Sequence, residues 1–413
     1  MVNEWPRRNI RSLGKVVTGK TPSTRNPQNF GGPYPFITIP DLERHVYIQD
    51  TARTISEQGA ALLNSCLLPA NAVMMSCIAT VGKCGITVEP SFTNQQINSV
   101  ICNKNVEPRY LYYCFRQLKF QLEATGGGGS VYTNVSKSRF SELEVPIPPL
   151  SDQRAIASIL GALDDKIELN RRMNQTLEAM AQALFKSWFV DFEPFRDKGM
   201  EDSPLGEIPM GWSIITIGDI GDVICGKTPP TRDPSNYGGS IPFITIPDMH
   251  NKVFVTSTGG YLTEKGGATQ SKKLLPKHAV CVSCIATPGL VALTSQPSHT
   301  NQQINSIICN GNCSPFWCYL AMISLRHEII TGGAGGSATL NLNKAEFSKL
   351  QVIRPSQAVM WKFHQIVEPF FSRILSNELE NIKLADIRDT LLPKLLSGEI
   401  RVRDAEKFME EAV

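Results

Sequence analysis

Residues 14–21 (GKVVTGKT) and 221–228 (GDVICGKT) both match the pattern G-x4-G-K-T letter for letter. In a nucleotide site of that kind, backbone amides cradle the phosphates, the Lys neutralises them and the Thr hydroxyl reaches a magnesium ion. The cradle needs flexible residues inside the loop and a helix that starts at the Lys-Thr pair. Here the interior holds Val16 and Val17, or Val223 and Ile224, which favour strand, and Pro22, Pro27 and Pro230 make the following stretch an extended turn. The spacing therefore predicts a strand running into a turn. What the turn offers instead is exposed cations, and Lys20, Thr21 and Arg25, with Lys227, Thr228 and Arg232, are candidates for contact with nucleic-acid phosphates.

Other chemistry-bearing residues sort in the same way. NPQNF at Asn26 and DPSNY at Asp233 approach the (D/N)-P-P-(Y/F) loop that holds a flipped base, but they carry an extra residue and no second Pro. No glycine fingerprint for S-adenosylmethionine follows a strand, so they read as turns and not as a methyltransferase site in this chain. Cys281 and Cys284 form C-x-x-C with Cys309 and Cys313 beyond, yet Met74 and Val106 stand at the matching places of the repeat described below, which argues against zinc. The six His show no paired spacing, and neither a Ser/His/Asp set nor a carboxylate pair recurs. No catalytic residue and no metal ligand is expected. Asn94, Gln95 and Gln96, with Asn301, Gln302 and Gln303, have side chains suited to adenine edges. They are identical in the two copies and lie between apolar residues, so turn-building hydrogen bonds explain them better. Tyr132, Thr133 and Lys137, with Thr339, Asn341 and Lys344, flank glycine-rich loops whose backbone can approach a groove closely.

These residues recur because the chain is a duplication. Gly19 and Gly226 open near-identical segments 207 residues apart, and the same offset relates PFITIPD at Pro35 and Pro242, SCIAT at Ser76 and Ser283, and TNQQINS at Thr93 and Thr300. Each copy shows short β-type runs (36–39, 73–78 and 86–88 in the first) between Gly, Pro and Asn turns. A helix follows with apolar Leu111, Cys114, Phe115, Leu118 and Leu122, repeated as Cys318, Ala321, Met322, Leu325 and Ile329. A glycine-rich turn and a last strand close each α+β domain. The copies diverge most at 42–66 against 249–273 and at 131–139 against 338–346.

After each domain the apolar spacing changes. Ile156, Leu160, Leu163, Ile167, Asn170, Asn174, Leu177, Ala181, Leu184 and Trp188 follow one another in steps of four and three, a coiled-coil seam. The second copy gives Phe363, Val367, Phe370, Ile374, Asn377, Asn381, Leu384, Arg388, Leu391 and Leu395, so both seams carry two Asn at the same place. A buried Asn needs a polar partner and fixes register. The expectation is an antiparallel helix pair with an Asn layer near its middle, Leu160 near Leu391, and the two domains at opposite ends about a pseudo-two-fold. The aromatic end of the first helix (Phe185, Trp188, Phe189, Phe192, Phe195) is either core or an anchor for a partner.

The expected organisation is a domain over 1–150, a long helix over 151–193, a linker over 194–212, a second domain over 213–356, a second helix over 357–396 and a tail over 397–413. The chain has 413 residues, a net charge of +3 and 42% hydrophobic residues. Segments 1–150 and 205–356 carry +5 and +3, whereas 151–193 and 357–413 each carry −2. Positive charge sits on the domains and mild acidity on the helices. No apolar run is long enough for a membrane span and no signal core is present, so a cytoplasmic protein without a membrane role is expected. The 11 Cys lie in apolar runs and read as reduced core thiols.

A globular domain, a long helix, a linker and the same again resembles the DNA-specificity subunit of type I restriction-modification systems. The resemblance covers nearly the whole chain and rests on the paired G-K-T-P…GG…PF(I)T motifs, the two TNQQIN motifs, PPLSDQRAIASILGALDDKI from Pro148 and LFKSWFVDFEPF from Leu184. It implies two target recognition domains, each reading half of a split site on double-stranded DNA. It also implies helices that set the spacing and dock two adenine-N6 methyltransferase (modification) subunits, with a restriction/translocase subunit joining that core. The docking candidates are Ile167, Asn170, Asn174, Leu177 and Trp188, with Ile374, Asn377, Asn381 and Leu384. The subunit itself would be non-catalytic, with no cofactor of its own, and S-adenosylmethionine, ATP and magnesium would be held by partners. About 40 helical residues span roughly 60 Å, or about 18 base pairs. Because the copies are so alike, the half-sites are expected to be related. The competing readings are a self-sufficient P-loop NTPase or nuclease, which nucleotide hydrolysis lost on changing Lys20 and Lys227 would favour, and a coiled-coil scaffold without a DNA role.

Overall fold

The computed structural model describes residues 5–43, 45–124, 134–332, 341–402 and 404–405, with backbone alone for 43, 120–124 and 198. Two compact units divide the chain, Met1–Glu168 with Ile382–Val413, and Leu169–Asn381. The division falls inside both long helices, Leu150–Phe189 and Gln357–Ser397.

In the first unit a five-stranded sheet runs Gly14–Thr18, Ile97–Cys102, Val73–Ser76, Cys84–Thr87, Tyr47–Ile48. Its neighbours are antiparallel except the last pair. Alternation along Val73–Ser76 sorts the side chains: Val73 and Met75 join the core beneath helix Pro108–Ala124, and Met74 joins the smaller cluster of Val17, Ile37, Ile48 and Leu68. A three-stranded sheet centred on Phe30–Ile37 pairs antiparallel with Thr54–Ile55 and parallel with Phe92–Thr93. The second unit repeats both sheets, with Gly221–Cys225 at the matching edge and Tyr237–Ile244 at the matching centre.

Each unit also pairs its entry and exit strands, Arg7–Asn9 with Glu144–Pro146 and Ser213–Thr216 with Gln351–Arg354. The helix after the sheet is continuous in the first unit but flattens at Leu325 in the second, giving Pro315–Ser324 and Arg326–Gly332. Its apolar face stays in the core, with Cys318, Ala321, Met322 and Ile329 buried. The stretch read as a linker is folded: Met200–Ser203 and Gly206–Pro209 form a hairpin, and Phe195, Ile208 and Trp212 are buried in the core of the second unit.

The seam pairs antiparallel inside each unit. In the first, Ile156, Leu160, Leu163 and Ile167 share a core with Leu384, Leu391 and Leu395. In the second, the Phe185 and Phe189 rings lie 6.2 and 4.8 Å from that of Phe363. Pro369 and Pro393 sit inside the second helix, and each removes a backbone donor at a cost of about 3 kcal/mol. Burying Phe363, Val367, Phe371 and Ile374 fully, at about 1.5–3 kcal/mol each, outweighs that cost.

Candidate nucleic-acid interface

The two most repeated motifs meet in space. After Gly14–Thr18 the chain turns against the segment from Thr93, and the Gly19 amide donates to Ile97 O at 3.1 Å. In the second unit Gly226 N donates to Ile304 O at 3.1 Å and Lys227 N to Thr300 O at 2.9 Å. A Cβ at Gly19 would stand 2.2 Å from Thr93 Oγ1 and 2.3 Å from Asn94 O, and one at Gly226 would stand 2.1 Å from Asn301 O. Only glycine allows backbone to come this close. No helix starts at either Lys-Thr pair; the next element is a single 3-10 turn, Pro27–Asn29 or Pro234–Asn236. The strand-then-turn expectation therefore holds, and the phosphate cradle lacks its helix.

That close approach fixes the side chains. Thr21 Oγ1 donates to Gln95 Oε1 at 2.7 Å, and Thr228 Oγ1 donates to Gln302 Oε1 at 2.6 Å. Asn94 and Gln96 do what the sequence led one to expect: Asn94 Nδ2 donates to Gln96 Oε1 at 2.9 Å and Gln96 N to Asn94 Oδ1 at 3.1 Å. Asn301 and Gln303 repeat both bonds at the same distances. Gln95 and Gln302, between these partners, stay exposed.

The SCIAT loop borders the same surface. Cys77 N donates to Gln96 O and Val135 N to Cys77 O, both at 2.7 Å, and Ile78 bridges Asn134. In the second unit Cys284 N donates to Gln303 O at 2.9 Å, Leu342 N to Cys284 O at 3.0 Å, and Ile285 bridges Asn341. Ala79 and Ala286 hold φ of 64° and 65°, a left-handed backbone that costs a residue with a Cβ about 1–2 kcal/mol. The hydroxyls of Ser76 and Ser283 brace the loop by donating to Thr80 O at 2.5 Å and Thr287 O at 2.6 Å. The same left-handed residue recurs at the exposed tip of this loop in both copies.

Lys20, Thr21 and Arg25, with Lys227 and Arg232, are exposed, and Thr228 is half-buried. None of these Lys and Arg residues takes part in an ion pair among the described residues. Lys137 and Lys344 are exposed at the first positions of short helices, and Asn341 is exposed at its bridge to Ile285. Tyr132, Thr133 and Thr339 lie outside the described residues. The copies differ at the rim. Asn26 caps the first 3-10 turn, whereas Asp233 caps the second and also pairs with Lys265 at 2.8 Å. Hydrogen bonds from Lys265 and then Ser235 hold the Asp233 carboxyl down at about 2.

Cys281 and Cys284, the C-x-x-C pair, part company across the second sheet. Cys281 belongs to the cluster of Ile244 and Leu275, and Cys284 to the core of Trp317 and Phe347. Burial pushes their thiols up to about 12 and about 11. Among the described residues no group of three or more His, Cys, Asp or Glu is placed to hold a metal.

The seam residues face inward. Asn170 Nδ2 donates to Asn381 Oδ1 at 2.9 Å and Asn377 Nδ2 to Asn174 Oδ1 at 2.8 Å. Asn170, Asn377, Ile167, Ile374 and Leu384 are buried, and Leu177 packs half-buried on the core of the second unit. Trp188 packs 5.8 Å from both Phe195 and Phe363, so the aromatic end of the first helix is core. The helix surface a partner can reach is outward: Leu169, Met180, Ile366 and Leu379 are exposed.

Two equivalent surfaces, each with free cations, a braced amide and a strained loop, define a protein with two recognition modules. The chain belongs to the type I restriction-modification DNA specificity family, whose model matches residues 3–179 and again 209–385. It is 40% identical over 343 residues to the type I restriction enzyme HindI specificity subunit of Haemophilus influenzae, covering 68% of this chain and 74% of that one. It is 30% identical over 412 residues to the MjaIX specificity subunit of Methanocaldococcus jannaschii, covering 97% of this chain and 94% of that one. A solved S subunit from M. genitalium shares its fold, with a TM-score of 0.59, 16% identity and coverage of 95% and 96%. The chain is thus a specificity subunit, the non-catalytic targeting part of such a system. Nothing in these likenesses favours the NTPase, nuclease or scaffold readings. Among the described residues no helix is long and apolar enough to cross a membrane.

Proposed function

We propose that each unit reads one half of a split site on double-stranded DNA, and that the chain thereby directs adenine-N6 methylation, and restriction, by partner subunits. The observation that carries this reading is the duplication of one composite surface, Lys20–Thr21–Gln95 and Lys227–Thr228–Gln302, with its cations unpaired. Lys20, Arg25, Lys227 and Arg232 set register on phosphates, and the loops that differ between copies supply different base contacts. Two methyltransferase subunits would dock on the outward helix faces near Met180 and Leu379, since the seam Asn residues are occupied with each other. A restriction/translocase subunit completes the complex, in the cytoplasm. S-adenosylmethionine, ATP and magnesium belong to those partners. The test is co-expression with the partner methyltransferase in a methylation-free host and genome-wide mapping of modified adenines, with each protein alone as control. A split motif that needs both proteins is the expected result; a stable complex that methylates no motif would overturn the reading.

A further inference from the structure

Within that DNA-reading role, on which this inference rests, we propose that Gln95 and Gln302 each read an adenine, so that the two half-sites share one base read by the same device. Three observations converge on these two residues. They are exposed, while their neighbours Asn94 and Gln96, or Asn301 and Gln303, are used up on each other. Their amide oxygens are held by a threonine hydroxyl from a segment 74 residues away. The arrangement recurs at 2.7 and 2.6 Å in two copies whose rims have diverged.

Pinning an exposed Gln costs rotamer freedom that solvent would otherwise allow, and a contact that needs a preset amide is what recovers it. The Thr hydroxyl uses one lone pair of the amide oxygen, leaving the second lone pair and both Nε2 hydrogens. An acceptor and a donor side by side on a planar amide match the adenine N6 amino group and N7, the bidentate pairing by which Gln selects adenine in the major groove. The flanking Lys20 and Lys227 provide the phosphate contacts that hold such an amide in register.

The test uses the complex with its methyltransferase and the genome-wide methylation motif as the readout. Gln95→Ala should relax one position of one half-site, by on the order of ten- to a hundredfold in discrimination, and leave the other half-site unchanged. Gln302→Ala should do the same in the other half-site. Gln95→Glu keeps the acceptor for Thr21 but loses the donors, so the preference at that position should move from adenine toward cytosine, whose N4 amino group a carboxylate accepts. A purely structural role would lower methylation evenly and keep the motif, and a phosphate contact would do likewise; either result overturns the proposal. If wild type gives no split motif, the DNA-reading role has failed. If wild type gives one and all three variants keep it, only the glutamine assignment has failed.

Discussion

Loss of Asp164 should destabilise the first unit measurably. Its carboxylate, 5% exposed, accepts from Arg388 Nη1 at 2.6 Å and from the Tyr113 hydroxyl at 2.6 Å. Arg116 Nη1 stands 3.8 Å away, and Arg388 also holds Asp389 at 2.8 Å. The same offset that relates the copies puts Phe371 in place of Asp164 and Ala181 in place of Arg388. There Phe371 stacks on Phe316 at 4.5 Å, so one duplicate solves the seam with charge and the other with rings. Asp164→Leu leaves a guanidinium that is 12% exposed with Asp389 alone, and leaves the Tyr113 hydroxyl without its acceptor. Breaking a buried pair from one side costs about 3–5 kcal/mol, and the remaining Asp389 contact argues for the low end, about 3. For a unit of this size that is a fall of about 6–12 °C in Tm, at roughly 2–4 °C per kcal/mol. Arg388→Met leaves the carboxylate buried with Arg116 as its nearest cation and should cost a similar amount. The double variant removes both charges, and an apolar replacement of similar volume is about neutral, so it should regain at least half of the loss. Calorimetry on the four proteins gives the cycle directly. Single variants within about 2 °C of wild type, or a double variant that simply adds the two losses, would refute the argument.

Three further outcomes follow from the geometry. Burial raises the Glu378 carboxyl from 4.5 to about 7. The folded state therefore holds that proton more tightly, stability falls as pH rises between those values, and about 3 kcal/mol is lost in all. Glu378→Gln should flatten unfolding curves over that window and raise Tm at pH 8; an unchanged slope would count against it. Lys20→Ala and Lys227→Ala should each cut the dependence of log affinity for duplex DNA on log salt by about 0.9, without altering the methylated motif. A changed motif would make either lysine a base reader instead. Gly19→Ala drives a Cβ to 2.2 Å from Thr93 Oγ1 and into the Asn94 carbonyl. It should cost about 1–3 kcal/mol and abolish reading of one half-site while the other is kept, as seen in the methylation map.

The sequence by itself determined what is local or periodic. A repeat is visible because identity survives, a helix because apolar residues recur every three or four positions, and an antiparallel seam because two Asn fall at the same phase in both helices. The rejection of a phosphate loop was equally legible, since β-branched residues and prolines act on their own backbone. Only the tertiary structure decided which distant segments touch. Thr21 reaches Gln95 because the edge strand Gly14–Thr18 pairs with Ile97–Cys102, and no spacing rule carries strand order. The same blindness left Asp164 and Arg388 without each other in the sequence reading. It also made a linker of residues whose aromatics complete the second core. In each case the deciding quantity is a contact between residues far apart in the chain, fixed by which burial and hydrogen bonding the whole fold can satisfy at once.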